Sequence, residues 1–183
     1  MLASFPSRRH FLQTVIAAVS SAFVAQAAAQ SPSTPAYSVG KWSGPLSPFL
    51  LTDLDGRTWQ AADLTGRAVL INFWASWCEP CRAEMPSLHQ LADRYGPGRL
   101  LVLAINFKEN PARALQFVKS TGLTLPVLLD SDGRQAQRWS VKVFPTTLTI
   151  DNRGQPQYRV QGELDWTGKA AEKLIDSLLI RST

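Results

Sequence analysis

The segment AVLINFWASWCEPCRAEMP occupies positions 68–86 of the chain. Its first seven residues, Ala68 to Trp74, are apolar except for Asn72, a pattern typical of a strand buried on both faces of a sheet. From Pro80 onward, apolar side chains recur every third residue, which predicts a helix that ends near Tyr95. The cysteines therefore lie where a buried strand passes into a helix.

The start of a helix favours an ionised cysteine. Free backbone N–H groups and the helix dipole stabilise a thiolate there, and the pKa of a thiol in such a motif falls from about 8.5 to about 7 or lower. Cys81 follows Cys78 by three residues, about 60° around the helix, so the two sulfurs can meet across one turn. We predict that Cys78 is the attacking thiolate and Cys81 the resolving thiol.

Two other roles for the cysteines are less favoured. A purely structural disulfide would close a loop of about four residues, which stabilises a protein by roughly 2 kcal/mol, the low end of the usual range. A structural zinc site needs four Cys or His ligands, and outside the N-terminal leader His89 is the only histidine. The sequence therefore predicts a redox-active pair, no bound metal and no cofactor other than the Cys78–Cys81 disulfide.

The remaining domain alternates between predicted strands and helices. An Asp-Gly turn at residues 53–56 predicts an early hairpin, and Asn110 with Pro111 predicts the start of a helix. Because the early strands are separated by helices, we expect them to be parallel and the last pair to form an antiparallel hairpin. The predicted strands cover residues 49–53, 57–60, 68–74, 100–105, 126–129, 146–150 and 157–160, and the predicted helices cover 80–95, 110–122, 134–139 and 165–180.

Apolar residues on two of these helices predict their inward faces. The second helix should bury Leu115, Val118 and Phe117. The last helix should bury four residues, namely Ala170, Leu174, Ile175 and Leu178.

The N-terminus resembles a secretory signal. Arg8 and Arg9 precede an uncharged stretch from Phe11 to Ala29, and Ala27–Ala29 suits a small-residue cleavage site. The stretch from Ser7 resembles the twin-arginine export motif, which implies export of an already folded protein. An uncleaved anchor that holds the domain at the membrane is the alternative. We expect a signal peptide over 1–29, a Pro- and Ser-rich linker over 30–45 and one domain over 46–183.

Composition and charge fit a globular protein. The chain is 45% hydrophobic and 18% charged, and its net charge of +5 falls to +3 without Arg8 and Arg9. The other basic residues are scattered rather than clustered, and a nucleic-acid footprint requires clustering. Nucleic-acid binding is therefore not expected.

Three motifs together resemble one family. Residues 69–86, the upstream segment 49–56 and the segment Val143 to Thr147 are similar to the signature of TlpA/ResA-like thioredoxin-fold disulfide reductases and of the related cytochrome c maturation thioredoxins. The resemblance extends from Phe49 to the C-terminus. It implies a thioredoxin-like three-layer α/β/α sandwich with a mixed central sheet, an N-terminal β-hairpin and a central βα insertion.

The resemblance also implies residue roles. Pro145 would follow a cis peptide bond and lie opposite Cys78, and the backbone of Phe144 would pair with an extended substrate segment. Trp77 and Pro80 would form part of the substrate-binding surface. Apart from the resemblance, the position of Glu79 near the exposed end of the motif predicts that it adjusts the pKa of the thiolate and the choice of substrate, because a nearby negative charge disfavours ionisation.

Glu84 is the most informative departure from ordinary thioredoxin. In thioredoxin a buried Asp on the preceding strand lies near the resolving cysteine, and the matching residue here is Asn72, which cannot release a proton. Glu84 lies three residues after Cys81 on nearly the same helix face, and ResA-like reductases carry a Glu at this spacing. We predict that Glu84 is the acid/base partner of the cysteines. The alternative is a surface charge that pairs with Arg82 or a lysine.

These observations predict a monomeric enzyme that reduces disulfides of exported proteins outside the cytoplasm. The resemblance implies a membrane electron donor of the DsbD/CcdA type and apocytochrome c as the leading substrate class. Two alternatives are a thioredoxin-fold peroxidase, although the Pro-x-x-x-Thr-x-x-Cys pattern is absent before Cys78, and a copper chaperone, although Met85 is the only methionine nearby. The net direction of exchange depends on the reduction potential, which the sequence does not give.

Overall fold

The structure, a computed structural model, describes residues 36–180 of the chain. The predicted signal peptide, its cleavage site and the first part of the predicted linker lie outside the described residues. Within the described part the strands are β1 (Tyr37–Lys41), β2 (Leu50–Thr52), β3 (Thr58–Gln60), β4 (Ala68–Trp74), β5 (Leu100–Phe107), β6 (Val127–Asp130), β7 (Thr146–Ile150) and β8 (Pro156–Gly162). The helices are α1 (Glu79–Tyr95), α2 (Pro111–Thr121), α3 (Arg134–Arg138) and α4 (Lys169–Ile180), with a short 3-10 helix at Ala61–Leu64.

Six of the strands form one mixed sheet in the order β1-β8-β7-β4-β5-β6. Strand β4 pairs in parallel with β5, and β5 pairs in parallel with β6. Strand β7 is antiparallel to both β4 and β8, and β2 and β3 form a separate hairpin. The predicted strand directions are confirmed, because each parallel pair is joined through a helix and each hairpin through a short turn.

The sheet separates two hydrophobic cores. Alternate residues of β4 point to opposite faces, so that Leu70 and Trp74 pack with one core, whereas Ile71 and Phe73 pack with the other. The first core also receives buried residues of α1, α2 and α4, and the second receives those of α3 and the β2–β3 hairpin. This is the predicted three-layer α/β/α arrangement, with α2 and β6 as the central insertion.

Strand β1 lies within residues 30–45, for which the sequence predicted only a linker. Its residues Tyr37–Lys41 pair antiparallel with β8 and extend the sheet at one edge. Four of its five residues are exposed, so the strand is held by backbone pairing and carries almost no hydrophobic pattern. A partner more than 100 residues later in the chain leaves no local sequence signal.

Two of the predicted helix faces were partly wrong. In α2, Ala114 and Phe117 are buried, whereas Leu115 is 39% exposed. In α4, Ala171 is buried and Ala170 is exposed. Small residues at Ala114 and Ala171 let each helix approach the sheet closely, so the helices turn those residues inward.

Helix α4 begins four residues later than predicted, at Lys169. Asp165 instead forms a turn, in which its side chain accepts a hydrogen bond from the Thr167 amide at 2.9 Å. Between residues 36 and 180, no helix has the length and apolar character needed to cross a membrane.

Candidate active site

The two cysteines lie at the junction of β4 and α1, as predicted. Cys78 is the N-cap of α1, and its sulfur accepts a hydrogen bond from the Cys81 amide at 3.3 Å. The sulfurs form a disulfide of 2.07 Å. Cys78 retains 6% of its surface exposed and Cys81 is fully buried, so an incoming thiol or disulfide reaches Cys78 first.

Glu84 lies buried below this junction and its side chain links three segments. Its Oε1 accepts a hydrogen bond from Asn72 Nδ2 at 2.6 Å, and its Oε2 accepts one from the Leu164 amide at 3.2 Å. The indole N–H of Trp166 also donates to Oε2 at 3.4 Å. The alternative of a surface charge is wrong, because only 2% of Glu84 is exposed and Arg82 pairs with Glu79 instead.

The surroundings of Glu84 favour a carboxyl group that exchanges its proton near neutral pH. Burial raises the pKa of Glu84 from 4.5 to about 7, although the hydrogen bonds from Leu164, Asn72 and Trp166 favour the charged form. Asn72 also donates to Thr147 Oγ1 at 3.0 Å, so the amide is fixed between β7 and α1. General acid/base catalysis is most effective when the pKa lies near the working pH.

The predicted cis-proline segment lies beside β7. The peptide bond between Phe144 and Pro145 is cis, as the resemblance implied. Trp77 is 58% exposed, and its ring meets the ring of Phe144 edge-on at a centroid distance of 6.1 Å. Val143, the residue before Phe144 in the chain, is also exposed, at 47%.

Glu79 and Pro80 form the exposed first turn of α1. Pro80 lies in the first turn, where a missing N–H removes no helical hydrogen bond. Glu79 forms an exposed salt bridge with Arg82 at 3.2 Å. Both residues therefore face solvent beside Cys78, where a substrate polypeptide can contact them.

A second buried carboxylate, Glu109, was missed by the sequence analysis. Its side chain accepts hydrogen bonds from the amide and hydroxyl of Ser76 at 2.7 and 2.6 Å and from Asn106 Nδ2 at 2.7 Å. Arg113 forms a salt bridge with it at 3.0 Å. Burial raises the pKa of Glu109, but the Ser76 and Asn106 hydrogen bonds and the Arg113 charge outweigh burial and hold the pKa below its usual value.

Glu109 thus anchors the loop that carries Cys78 to the end of β5. The signal that could have identified it is the pair of polar residues at the end of a buried strand, Asn106 within it and Glu109 just after it, since polar residues at the carboxyl ends of parallel strands commonly form sites. Leu164 and Trp166 left no comparable signal, because they reach Glu84 from a segment 80 residues away.

Residues 44–159 match the AhpC/TSA family, over more than half of the chain. The chain belongs to the AhpC/TSA family. The chain is 32% identical over 130 residues to the thiol-disulfide oxidoreductase ResA of Geobacillus kaustophilus. The matched region covers 71% of this chain and 74% of that relative. The chain is 36% identical over 142 residues to the thioredoxin-like protein YneN of Bacillus subtilis, covering 75% and 81% of the two chains.

Solved structures show the same fold. One match is a Chlorobium tepidum protein that is named as a DsbE thiol:disulfide interchange protein. It has a TM-score of 0.70 and 29% identity, and the match covers 78% of this chain and 99% of the Chlorobium chain. The exposed lipoprotein thioredoxin Etrx1 of Streptococcus pneumoniae matches with a TM-score of 0.64 and 28% identity, over 72% and 100%. The resemblance to ResA-like proteins is confirmed: the protein is a thiol–disulfide oxidoreductase of the ResA/DsbE type with a thioredoxin-like fold.

The structure gathers the predicted site residues of this family member around one junction. Cys78 and Cys81 are bonded, Glu84 lies buried one turn further along α1, and Trp77 contacts Phe144 next to Pro145. Within residues 36–180, no three His, Cys, Asp or Glu side chains lie together as a metal site would require. The chemistry that this arrangement offers is exchange between thiols and disulfides.

Proposed function

We propose that the protein reduces disulfides of exported proteins in an extracytoplasmic compartment. The observation that carries the proposal is a Cys78–Cys81 disulfide at a helix start whose neighbour Glu84 is buried and has a pKa of about 7. The same arrangement provides both steps of a reduction: an accessible nucleophile and a buried proton acceptor one helical turn from the resolving thiol.

The reaction begins with the reduced protein. The Cys78 thiolate attacks one sulfur of the substrate disulfide, and the other substrate sulfur leaves as a thiolate that takes up a proton. Glu84 accepts the proton of the Cys81 thiol, and the resulting thiolate attacks Cys78. The substrate sulfur that was bonded to Cys78 then leaves as a thiolate and takes the proton that Glu84 holds. Two electrons have passed from the protein to the substrate, together with one proton from Cys81 by way of Glu84 and one proton from solvent, and Cys78 and Cys81 are joined again in a disulfide.

The same surface supports the proposed substrate contacts. The exposed rings of Trp77 and the half-buried ring of Phe144 provide an apolar platform beside Cys78. We assign the backbone of Phe144, next to Pro145, as the strand that pairs with an extended substrate segment. Glu79 and Pro80 follow Cys78 directly in the chain and are exposed, so a bound substrate can also contact them.

Location and partners follow from the leader and the family. The twin-arginine-like segment at Arg8 and Arg9 supports export to the periplasm or an equivalent space, with a retained anchor as the alternative. Regeneration needs two electrons per cycle, which we assign to a membrane donor of the DsbD/CcdA type. Apocytochrome c is the substrate class that we favour. We also propose that the Cys78–Cys81 disulfide is the redox group of the protein, without a further cofactor, and that the protein acts as a monomer.

The cysteine variants test the order of attack. Cys81→Ser should trap a mixed disulfide with substrate through Cys78, visible as a reducible covalent adduct, whereas Cys78→Ser should trap none. Trapping through Cys81 in the Cys78→Ser variant at the same rate would contradict the assignment. Trapping from an extract of exported proteins also identifies the substrate.

Equilibration with glutathione tests the direction. A reductase should have a Cys78–Cys81 potential more negative than the glutathione pool, because electrons must flow to the substrate. A potential near that of strong oxidants would reverse the assigned direction. Rapid consumption of peroxide by the reduced protein, with no reduction of peptide disulfides, would favour the peroxidase alternative, and Cys-dependent copper binding would favour the chaperone alternative.

A further inference from the structure

A cleft of about 370 Å³ opens next to the cis-proline segment. One wall is the end of β5 with the residue that follows it, Phe107 and Lys108, and the other is the loop that joins α3 to β7, at Ser140 and Lys142. Both segments lie at the end of the sheet where β4 leads into the active-site junction, since β5 is the parallel neighbour of β4 and ends on the same side. The proposed reaction leaves this cleft unused.

Both walls contain a residue in an unusual backbone conformation. Lys108 has φ of 53° and Ser140 has φ of 52°, and among the described residues these are the two non-glycine positions with positive φ. Such positions persist where the surrounding structure holds them, and they cluster at binding sites. Here the Lys108 amide donates to the Asp130 carbonyl at 3.0 Å, and the Ser140 carbonyl accepts from Arg159 at 2.7 Å.

The side chain of Lys108 is fitted into the wall of the cleft. Its aliphatic stem lies over Gly133, where an added side-chain carbon would collide with the stem of Lys108 and stand 2.9 Å from the ring of Phe107. The Lys108 Nζ lies 5.4 Å from the centroid of the Phe107 ring. A lysine whose stem is packed against its neighbours has fewer conformations than a free one, so less conformational entropy is lost when its ammonium group binds an anion.

The charge of the cleft is positive. Lys108 and Lys142 are exposed, and neither forms a salt bridge within residues 36–180. Asp132 also lines the cleft, but its carboxylate is paired with Arg134 at 2.5 Å. The cleft therefore presents the ammonium groups of two lysines, and its one carboxylate is paired with an arginine.

A row of aromatic rings connects the cleft with the active site. The ring of Trp77, next to Cys78, meets Phe144 at 6.1 Å, and Phe144 meets Phe107 at 4.6 Å. Phe107 precedes Lys108, so an extended polypeptide that crosses the rings from Cys78 reaches the two lysines. Because an extended chain advances about 3.3 Å per residue, the lysines should meet residues roughly three to five positions from the substrate cysteine.

We propose that this cleft binds acidic side chains of the substrate polypeptide, so that the enzyme prefers disulfides whose cysteine has Asp or Glu about three to five residues away on one side. The proposal rests on the proposed reductase function and specifies its substrate class. The aromatic row accommodates the intervening residues, and Lys108 with Lys142 provide the charge complementarity that selects among them.

Two series of three peptides test the preference. Each peptide carries one cysteine in a mixed disulfide with glutathione, and the three peptides of a series differ only in having three Glu, three Gln or three Lys. These residues occupy the third to fifth positions after the cysteine in one series and before it in the other. The kcat/KM of their reduction by the dithiol form of the full chain is measured at low and high salt. In one series the Glu peptide should be reduced about three- to ten-fold faster than the Lys peptide at low salt, and the ratio should fall towards one at high salt.

The variant Lys108→Gln/Lys142→Gln should remove most of this preference and leave the kcat/KM of the Gln peptide unchanged. Its matched control is Lys169→Gln/Lys173→Gln, which removes the same charge from exposed positions of α4. The control should keep the preference if the cleft, and not the net charge of the protein, selects the substrate.

Three outcomes would overturn the cleft: equal rates for the Glu and Lys peptides in both series, an equal loss of preference in the α4 control, or an equal loss of rate for all peptides in the cleft variant. Each of these leaves the reductase function in place, provided that the Gln peptide is reduced by the unmodified protein. Failure to reduce any peptide would instead contradict the proposed function itself.

Discussion

At the scale of a single residue, Glu84 costs the folded protein stability when it is ionised. Its pKa is about 7 in the folded protein against 4.5 ordinarily, because burial disfavours the charged form. The folded state therefore holds the proton more tightly than the unfolded chain between these values. The free energy of unfolding should therefore fall by about 3 kcal/mol because of this group as the pH rises from about 4.5 to about 7, and it should level off above that pH.

The variant Glu84→Gln should abolish this decline. Glutamine retains an acceptor for the Asn72 amide but binds no proton, so its free energy of unfolding should change little between pH 5 and pH 8. Urea unfolding of the oxidised protein at the two pH values measures the difference. Glu79→Gln is the control, because Glu79 is exposed and should leave the decline intact. An equal decline in the Glu84→Gln variant would contradict the role of burial.

At the scale of the elements, Glu109 ties the β4–α1 loop to β5 and α2. The variant Glu109→Ala leaves the Ser76 amide and the Asn106 side chain without this acceptor, and unsatisfied buried donors cost about 1–3 kcal/mol each. We expect the free energy of unfolding to fall by about 2 kcal/mol or more at pH 7, and the Ser76 amide to exchange faster with solvent. Urea unfolding and hydrogen exchange measure the two effects.

The contribution of Glu109 to the free energy of unfolding depends on pH in the opposite direction to that of Glu84. The pKa of Glu109 is lowered in the folded protein, so its contribution is complete above about 4.5 and is lost as the pH falls through the lower value. The penalty of Glu109→Ala should therefore shrink in acid. The control is Glu163→Ala, an exposed glutamate, and an equal loss of stability there would show that the network is unimportant.

The elements also show what local sequence patterns reveal. The strand Ala68–Trp74 was predicted at its observed bounds, and the helix Pro111–Thr121 was predicted to within one residue at each end, because a continuous apolar run and an Asn-Pro cap are local signals. Leu115 was placed on the wrong face, since apolar spacing of three fits two adjacent helix faces equally well. Strand β1 was missed because the strand with which it pairs, β8, follows more than 100 residues later.

The candidate site divides in the same way. Cys78, Cys81 and Glu84 are close in sequence, so spacing on one helix predicted their neighbourhood. The contacts that tune Glu84 come from Leu164 and Trp166, which only the folded chain brings to α1. Burial at this point, which raises the pKa of Glu84, is a tertiary property and has no counterpart in the helix pattern.

At the scale of the whole molecule, β1 belongs to the folded unit. Its pairing with β8 begins at Tyr37, nine residues before the domain start predicted from the sequence. A chain that starts at residue 34 should keep the kcat/KM for a peptide disulfide, because every site residue lies in residues 36–180. A chain that starts at residue 46 should lose β1, unfold at lower urea concentration and associate through the uncovered edge of β8.

Unfolding curves and light scattering of the two chains provide the measurement. Equal stability of both, with no association, would show that β1 adds nothing to the sheet and that the folded domain begins at residue 46. The longer chain also serves as the reference for all the variants above, since it contains the whole described part of the sheet.

The hydrogen-bond partners of Glu84 allow the protonation of its buried carboxyl group to be followed by spectroscopy. The groups that contact the Glu84 carboxylate are Asn72, the Leu164 amide and the Trp166 indole, none of which ionises near neutrality. A carbon-13 label on that carboxyl carbon in the oxidised protein should follow a one-site Henderson–Hasselbalch curve with its inflection near pH 7. Opening the disulfide adds two thiols, and the same resonance should then trace overlapping steps that belong to the coupled set.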